Sequence, residues 1–386
     1  MSSTLEAYKS TLVASEYGWA LEYYPDENQS YGGYVYAIKF TDDKATVAVD
    51  FVGSSLTKTS LYKFVGDDGP VLTFDTYNIL LHFFANPSGE MPYGYKGDYE
   101  FILMGQKDDV ITLKGKKSGN KMTLTKLKEP FNVFIDKVGS SGAVIDGVPK
   151  LAFTVGSGAI AATKSDRNLT FSYVEGNEGK TVSVGFIPTI TGIKLYKPIT
   201  IMGETFQEFN FNSDLMGLTC TTNSKVVLTF IYPPINESMS ETAALWKFTV
   251  DGSNMCSDLA SLLATAKSTI VTKYGPTMTM TSFGIGANPI YPSSDQTNKF
   301  AFVTIIGGYY GILGYEMAPV EGTTDQVSIA PTYLGLNWSA FKALNPFVLK
   351  ISSGSPYKLE TDDVNNPSYV KFVSVADPNI WFRVDK

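Results

Sequence analysis

The sequence predicts a mainly β protein built from antiparallel barrel or sandwich units, with two helices. Three observations predict this class. Apolar and polar residues alternate in many short segments, turn residues separate these segments at roughly 8–12-residue spacing, and only two segments carry a helical stripe of apolar residues. The chain has 386 residues, more than one core usually serves, so we expect two or more packed units.

The first predicted element is a helix, in which Ser3 and Glu6 form a capping box and Gly18 marks the stop. Everything from residue 19 to residue 128 then has the pattern of strands, and the turn Thr41–Lys44 separates the first clear pair. An up-and-down barrel with a helix beside it, lipocalin-like in outline, is the simplest way to close these strands. The remaining strands of this segment are expected at about residues 58–64, 71–75, 78–84, 98–104, 109–117 and 121–128.

Glu129 and Pro130 mark a predicted boundary, and we divide the chain into residues 1–128, 129–250 and 251–386. The middle segment is β-rich, and the last begins with a helix over residues 257–273 that ends before Gly275 and Pro276. Both helices lead into Gly- and Tyr-rich strands, which indicates a duplicated helix-plus-β unit or a chance likeness between two amphipathic helices. Strands of these segments are expected near 151–155, 169–174, 181–187, 205–211, 226–232, 245–250, 300–306, 309–317, 327–330 and 380–384.

Charge argues against nucleic acid as a partner. The net charge is −7 and the isoelectric point is near 5, so phosphates would be repelled. Lysines cluster between residues 114 and 128 around a Ser118–Asn120 turn. We interpret them as solvated charges that guard an edge strand, with an anion-binding patch as the alternative.

The residue types of acid–base and metal chemistry are scarce. His82 is the one histidine and lies in an apolar run, so a structural role is predicted, and neither a zinc site nor any other cofactor is expected. Cys220 and Cys256 could form a disulfide or remain two buried thiols. Adjacent aspartates such as Asp42–Asp43 fall between strands, where turn chemistry explains them better than catalysis. A calcium site near residues 362–366 is a minor alternative.

Aromatic side chains beside glycines give the positive signal for function. Flat rings next to glycine can stack on sugars or grip peptides, although cross-strand packing would also explain them. We therefore expect no catalytic and no metal-binding residues, and we single out five candidates for ligand binding. These are Trp19, Tyr31, Tyr34, Tyr93 and Tyr95.

Several segments of the first 215 or so residues resemble an uncharacterised family of Bacteroidetes surface lipoproteins, a domain of unknown function. The resemblance implies a lipid-anchored protein at the outer membrane, often encoded with nutrient-uptake systems, and it implies no catalytic residues. The segments that carry it are Gly18–Pro25, Gly32–Tyr34, Ile38–Phe40, Asp98–Phe101, Leu113–Met122, Gly185–Pro188 and Gly192–Pro198.

These observations lead to three functional hypotheses. The first is a non-enzymatic surface lipoprotein that captures a glycan, a peptide or another nutrient for uptake. The second is a structural or adhesin-like module of an outer-membrane protein complex, and the third is a hydrolase that uses carboxylates from separate strands. We expect an extracytoplasmic location, with the signal segment and the lipidated cysteine removed from this chain.

Overall fold

The computed structural model describes residues 2–67, 69–89, 91–241, 244–287 and 300–386. Within these residues the chain is mainly β, with antiparallel strands arranged in one nine-stranded sheet and two closed eight-stranded barrels. The predicted class is confirmed. The chain divides into two compact units, residues 1–231 and residues 232–386, which are described separately below.

The first unit opens with helix α1 (Ser2–Val13) and a nine-stranded sheet. Its strand order is β4-β3-β2-β1-β9-β8-β7-β6-β5, which is an up-and-down order with β4 and β5 at the two edges. The barrel expected here is therefore a half-barrel sheet, and the closed barrels lie later in the chain. The strands are β1 (Trp19–Tyr23), β2 (Tyr34–Phe40), β3 (Lys44–Val49), β4 (Gly53–Leu61), β5 (Lys63–Gly66), β6 (Pro70–Thr73), β7 (Glu100–Lys107), β8 (Val110–Gly115) and β9 (Lys121–Lys126).

Alternation along the strands fills the inner face of this sheet, as predicted. Tyr36, Ile38 and Phe40 of β2 are buried there, together with Val47 and Val49 of β3. Strands β8 and β9 lie in the interior of the sheet, so the lysines around them do not guard an edge. One of these lysines, Lys116, instead forms an ion pair with Asp67.

Helix α2 (Phe131–Asp146), absent from the prediction, packs near the outer face of the sheet. The side chains of Ile135 and Val138 share a buried cluster with Val35 and Ala37 of β2. The backbone N–H and the hydroxyl of Ser54 each donate to the Asp136 carboxylate at 2.6 Å, which ties the helix to the start of β4. The sheet is thus covered on both faces, which explains why β2 is apolar in nearly every position.

The first closed barrel completes this unit. Its eight strands follow one another in chain order, and β10 pairs with β17 to close the ring. The expected boundary at residue 129 falls between β9 and α2. The strands are β10 (Lys150–Val155), β11 (Gly158–Ser165), β12 (Asn168–Glu175), β13 (Glu178–Thr189), β14 (Gly192–Ile201), β15 (Glu204–Phe211), β16 (Gly217–Cys220) and β17 (Val226–Ile231).

The second unit contains the other closed barrel, with a core rich in aromatic rings. The predicted helix over 257–273 is confirmed as α4, and two further helices and a 3₁₀ helix at Lys342–Leu344 accompany it. The elements are α3 (Ile235–Glu241), β18 (Leu245–Lys247), α4 (Ser257–Tyr274), β19 (Met280–Ala287), β20 (Phe300–Ile306), β21 (Tyr309–Pro319), β22 (Gln326–Leu336), α5 (Asn345–Ser353), β23 (Tyr357–Thr361), β24 (Tyr369–Ser374) and β25 (Trp381–Asp385).

The described residues thus contain three helices more than the two that the sequence predicts, and one predicted strand is wrong. Residues 79–86 form turns in which the His82 N–H donates to the Asn78 carbonyl at 2.9 Å. The Asn78 side-chain oxygen accepts the N–H of Leu80 at 3.1 Å, and such local capping competes with strand formation. Cys220 and Cys256 are both buried free thiols, one in each unit.

Among the described residues, none of the helices combines the length and the apolar character that crossing a bilayer requires.

Candidate functional site

The loop between β1 and β2 carries the first of the candidate tyrosines and is held by polar side chains. The Asn120 amide nitrogen donates to the carbonyl of Tyr24 at 2.8 Å and to that of Asp26 at 2.6 Å. The Asp26 carboxylate is paired with Lys96 at 3.0 Å. These contacts fix the path of the loop and therefore the position of Tyr31.

The Gly32–Gly33 pair at the end of this loop is explained by close packing. Gly32 has φ +69°, which favours glycine, and a Cβ atom on Gly33 would lie 2.4 Å from Cε1 of Tyr24. The Gly33 N–H donates to the carbonyl of Phe186 on β13 at 2.9 Å. The glycines thus let the loop contact the barrel of the same unit, and Tyr34 follows directly.

Six aromatic residues that are distant in sequence form one group, which we call the aromatic cluster. Its ring centroids are 4.3 Å apart for Tyr34 and Phe84, 5.3 Å for Phe51 and Phe83, and 5.0 Å for Tyr31 and Tyr95. Phe83 stacks nearly parallel to Tyr95 at 6.2 Å. The members are Tyr31, Tyr34, Phe51, Phe83, Phe84 and Tyr95.

Exposure differs across the cluster in a way that suits a binding surface. Phe84 is buried at its base, whereas Phe51 is 40% exposed and Phe83 is 44% exposed. Phenylalanine side chains are usually buried on folding. Core packing therefore does not explain why these two neighbouring rings are exposed.

Charged side chains face these rings across a cleft of about 370 Å³, which we call the aromatic cleft. One wall consists of Tyr34, Phe51, Phe83 and Phe84. The other wall comes from the end of α2, the end of β11 and the β11–β12 turn. It consists of Asp146, Lys164, Asp166 and Arg167.

Arg167 connects the two walls. Its guanidinium lies 4.8 Å from the centroid of the Tyr34 ring, and its Nη1 is 2.8 Å from the buried Asp50 carboxylate. Nη2 is 3.0 Å from the Asp146 carboxylate at the rim of the cleft. Burial raises the pKa of Tyr34 to about 12, against the lowering effect of Arg167, so this phenol keeps its proton at neutral pH.

Asp50 is the most buried charged group of this arrangement. Its Oδ2 accepts the Val35 N–H at 2.8 Å as well as the Arg167 contact, while its Oδ1 has no hydrogen-bond partner among the described residues. Burial raises the pKa of the Asp50 carboxyl, and Arg167 and the Val35 amide offset this in part. The carboxylate thus depends on Arg167 for its charge balance.

Comparison with family profiles gives one match for this chain. The profile described as domain of unknown function DUF4302 matches residues 1–213. The chain belongs to this family. The matched region contains both walls of the aromatic cleft and ends inside the first closed barrel, in the connection between β15 and β16.

Comparisons with other proteins add no functional information. The comparison with curated proteins finds no match. Among solved structures, the chain is similar to the DNA polymerase III β chain of Streptococcus pneumoniae TIGR4, at 10% identity and a TM-score of 0.12, covering 100% of this chain and 97% of that chain. The Pseudomonas aeruginosa subunit β gives 9% identity, a TM-score of 0.12, and coverage of 97% and 93%. At such TM-scores the likeness supports no conclusion about the DUF4302 chain.

The five candidate residues fall into three groups. Tyr31, Tyr34 and Tyr95 belong to the aromatic cluster. Tyr93 is 79% exposed and lies outside the ring contacts of the cluster. Trp19 is buried in the sheet core, where its indole N–H donates to the Leu12 carbonyl at 2.9 Å, so a ligand cannot reach it and its role is structural.

Sequence reasoning missed Phe51, Phe83 and the whole charged wall. Phe51 lies just after β3, and its ring lines the cleft. The signal available for Phe83 was its position in an apolar run that begins with Asn78, a residue that favours turns. Nothing local marks Arg167, because its partner Asp50 is far away in sequence.

The residues considered for acid–base or metal chemistry make contacts that are typical of structural residues. The His82 ring stacks on Tyr99 with centroids 4.7 Å apart, its Nδ1 accepts the Asn78 N–H at 3.2 Å, and burial lowers its pKa. Asp362 accepts the N–H of Ser368 at 3.0 Å within a turn. Across the described ranges, no group of three or more His, Cys, Asp or Glu side chains is arranged to hold a metal ion.

Proposed function

We propose that this chain is the binding portion of a non-enzymatic cell-surface lipoprotein that captures a glycan for uptake. The observation that carries the proposal is the aromatic cleft, where half-exposed phenylalanine rings face a charged wall. Ligand sites are typically concave and aromatic, with a few placed polar groups that fix orientation. The cleft has this composition and lies within the DUF4302 region.

The two walls match the two kinds of surface that a sugar ring presents. The C–H faces of a pyranose can pack on the Phe51 and Phe83 rings, which offer large contact area at little cost in side-chain entropy. Its hydroxyl groups can bond to the Lys164 ammonium and the Asp166 carboxylate, a donor and an acceptor on the opposite wall. Arg167 is already held by Asp50 and Asp146, so it supports the cleft without having to be reoriented.

A glycan array followed by titration calorimetry on the best polymer tests the proposal. We expect saturable binding, and we expect Phe83→Ala to weaken it at least tenfold, as truncation of a central aromatic contact commonly does. Tyr309→Ala is the matched control, because Tyr309 is 63% exposed and belongs to the second unit. Absence of binding to every glycan, or equal affinity of the Phe83 variant and the wild type, would contradict the proposal.

The non-enzymatic part of the proposal has its own test, because Asp146 and Asp166 both line the cleft. Glycosidases use two carboxylates across the scissile bond, so these residues are the ones a hydrolase would employ. We expect no new reducing ends after long incubation with the bound polymer. Release of reducing ends that disappears in Asp166→Asn would make the chain a hydrolase.

The location rests on the resemblance to Bacteroidetes surface lipoproteins, and its test uses the full-length protein in cells. We expect metabolic labelling with a palmitate analogue and recovery with the outer-membrane fraction. A protein that is unlabelled and remains in the soluble fraction would contradict this part of the proposal.

The exposed rings of the aromatic cluster also favour a second candidate, a module that contacts partner proteins in an outer-membrane complex. The two candidates predict different effects of the charged wall. A Lys164→Gln, Asp166→Asn variant should lose glycan binding, whereas a contact made by the rings alone should survive it in co-purification from membranes. Retained co-purification together with no glycan binding would favour the second candidate.

A further inference from the structure

A second, larger cavity of about 670 Å³ lies in the first unit, and it shares no lining residue with the aromatic cleft. Its walls come from the outer face of β1 and β2, from α2 and from β13. Most of its lining is apolar. The apolar residues that shape it include Ala20, Val35, Leu127, Phe134, Val138 and Ile187.

The volume of this cavity, which is open to solvent on one side, falls within the range of about 300–1,000 Å³ that ligand pockets commonly have. The cavity adjoins a buried cluster in which α2 packs on Val35 and Ala37, so its apolar lining is built by well-packed elements. Lys128 and Ile190 are exposed and mark its solvent side.

The charges that line the cavity do not cancel. Glu22 is neutralised by Lys194 at 2.8 Å, and Glu129 is neutralised by Lys137. Lys126 and Lys128 also line the cavity, and neither ammonium forms an ion pair within the described residues. The lining therefore combines an apolar interior with two uncompensated positive charges.

We propose that this cavity binds a medium-chain fatty acid, with the alkyl chain against the apolar lining and the carboxylate near Lys126 and Lys128. The two lysines favour an anionic head group, because a carboxylate forms charge-assisted hydrogen bonds with the ammonium groups and a neutral head group does not. The apolar lining selects an alkyl body over a sugar, whose hydroxyl groups would lose hydrogen bonds to water there. The site is independent of glycan binding in the aromatic cleft.

Titration calorimetry with octanoate, decanoate and 1-decanol tests both parts of the proposal. We expect saturable binding of decanoate and a gain of up to about fourfold for each methylene added from octanoate to decanoate. We also expect 1-decanol to bind more weakly than decanoate. Absence of saturable decanoate binding, or equal affinity for the acid and the alcohol, would overturn the proposal.

Variants locate the site. Ile190→Asp places a carboxylate at the exposed side of the cavity and should reduce decanoate affinity at least tenfold, whereas Val174→Asp, another exposed position on the same barrel, should leave it unchanged. The pair Lys126→Gln, Lys128→Gln should abolish the preference for decanoate over 1-decanol. The matched pair Lys58→Gln, Lys107→Gln lies outside the lining and should keep it.

The aromatic cleft supplies the last control. Phe83→Ala should bind decanoate like the wild type, because Phe83 does not line this cavity. Loss of decanoate binding in Phe83→Ala with retention in Ile190→Asp would place the acid in the aromatic cleft and overturn the proposal. Near-ultraviolet circular dichroism of each variant confirms that the first unit is folded.

Discussion

Asp50 and Arg167 form a buried ion pair that joins the sheet to the first closed barrel. Arg167→Met would leave the Asp50 carboxylate buried without its counter-charge, so we expect a loss of about 3–5 kcal/mol in the free energy of unfolding. Urea denaturation of the first unit, followed by near-ultraviolet circular dichroism, measures this loss.

The control for this prediction is the second half of a double-mutant cycle. Asp50→Asn keeps an oxygen for the Val35 N–H but removes the charge, so the double variant with Arg167→Met should be more stable than Arg167→Met alone. If the double variant were as unstable as the sum of the two single changes, the ion pair would not account for the effect.

Single residues show what the sequence can reveal about the candidate site. Tyr31, Tyr34 and Tyr95 could be selected, because aromatic residues beside glycines are a local pattern. Trp19 satisfied the same pattern and yet is buried in the core, since its place on an inward-facing position of β1 decides its exposure. Arg167 could not be selected as a candidate, because its role depends on the ion pair with Asp50, which lies in the turn after β3 and far away in sequence.

Elements with a regular alternation were predictable, and those with conflicting local signals were not. Strand β3 follows from alternation, and β2 follows from an apolar run that ends at the polar turn Thr41–Lys44. Helix α2 contains Gly139, Ser140, Ser141 and Gly142, residue types with low helix propensity, and no helix is predicted there from the sequence. Packing overrides this propensity, because Ser141 and Gly142 lie on the buried side of the helix where larger side chains would not fit.

Gly139 gives a direct test of that explanation. A Cβ atom at this position would lie 2.6 Å from the backbone oxygen of Asp50, so α2 or the turn after β3 must shift. We expect Gly139→Ala to destabilise the first unit by about 1–3 kcal/mol through overpacking, although alanine favours helix by about 1 kcal/mol over glycine. Thermal unfolding measures the change.

The adjacent position is the matched control. Ser140 is exposed on α2, so Ser140→Ala should leave stability unchanged or raise it slightly through helix propensity. Stabilisation by Gly139→Ala would mean that propensity, and not the contact with Asp50, controls this helix.

At the scale of the whole molecule, the class could be predicted but the closure of each sheet could not. Strand order depends on pairs such as β1 with β9 and β10 with β17, which join residues far apart in sequence. The aromatic cleft depends on the same long-range order, because its rings come from the sheet and its charges from α2 and the barrel. A local sequence pattern cannot predict contacts between segments that are so far apart in the chain.

Both units bury tyrosines, and this leads to a prediction for alkaline pH. In the first unit burial raises the pKa of Tyr36 well above its ordinary value and that of Tyr62 to about 12. In the second unit burial raises the pKa of Tyr315. These phenols keep their protons in the folded chain at a pH where the unfolded chain releases them, near pH 10.

The free energy of unfolding should therefore be unaffected by these groups below about pH 10 and should fall as the pH rises from about 10 towards 12. Urea denaturation at several pH values measures the fall, and tyrosinate absorbance follows ionisation in the folded chain. Tyr62→Phe removes one phenol whose pKa is raised, so the free energy of unfolding should fall less steeply at alkaline pH. At neutral pH the variant should be less stable than the wild type, because it loses the hydrogen bond that the Tyr62 hydroxyl donates to the Thr41 carbonyl. A free energy of unfolding that stays constant up to about pH 12 would contradict this prediction. It would mean that the folded and unfolded chains release these protons at the same pH, whereas burial of Tyr36 and Tyr315 disfavours their charged form in the folded chain.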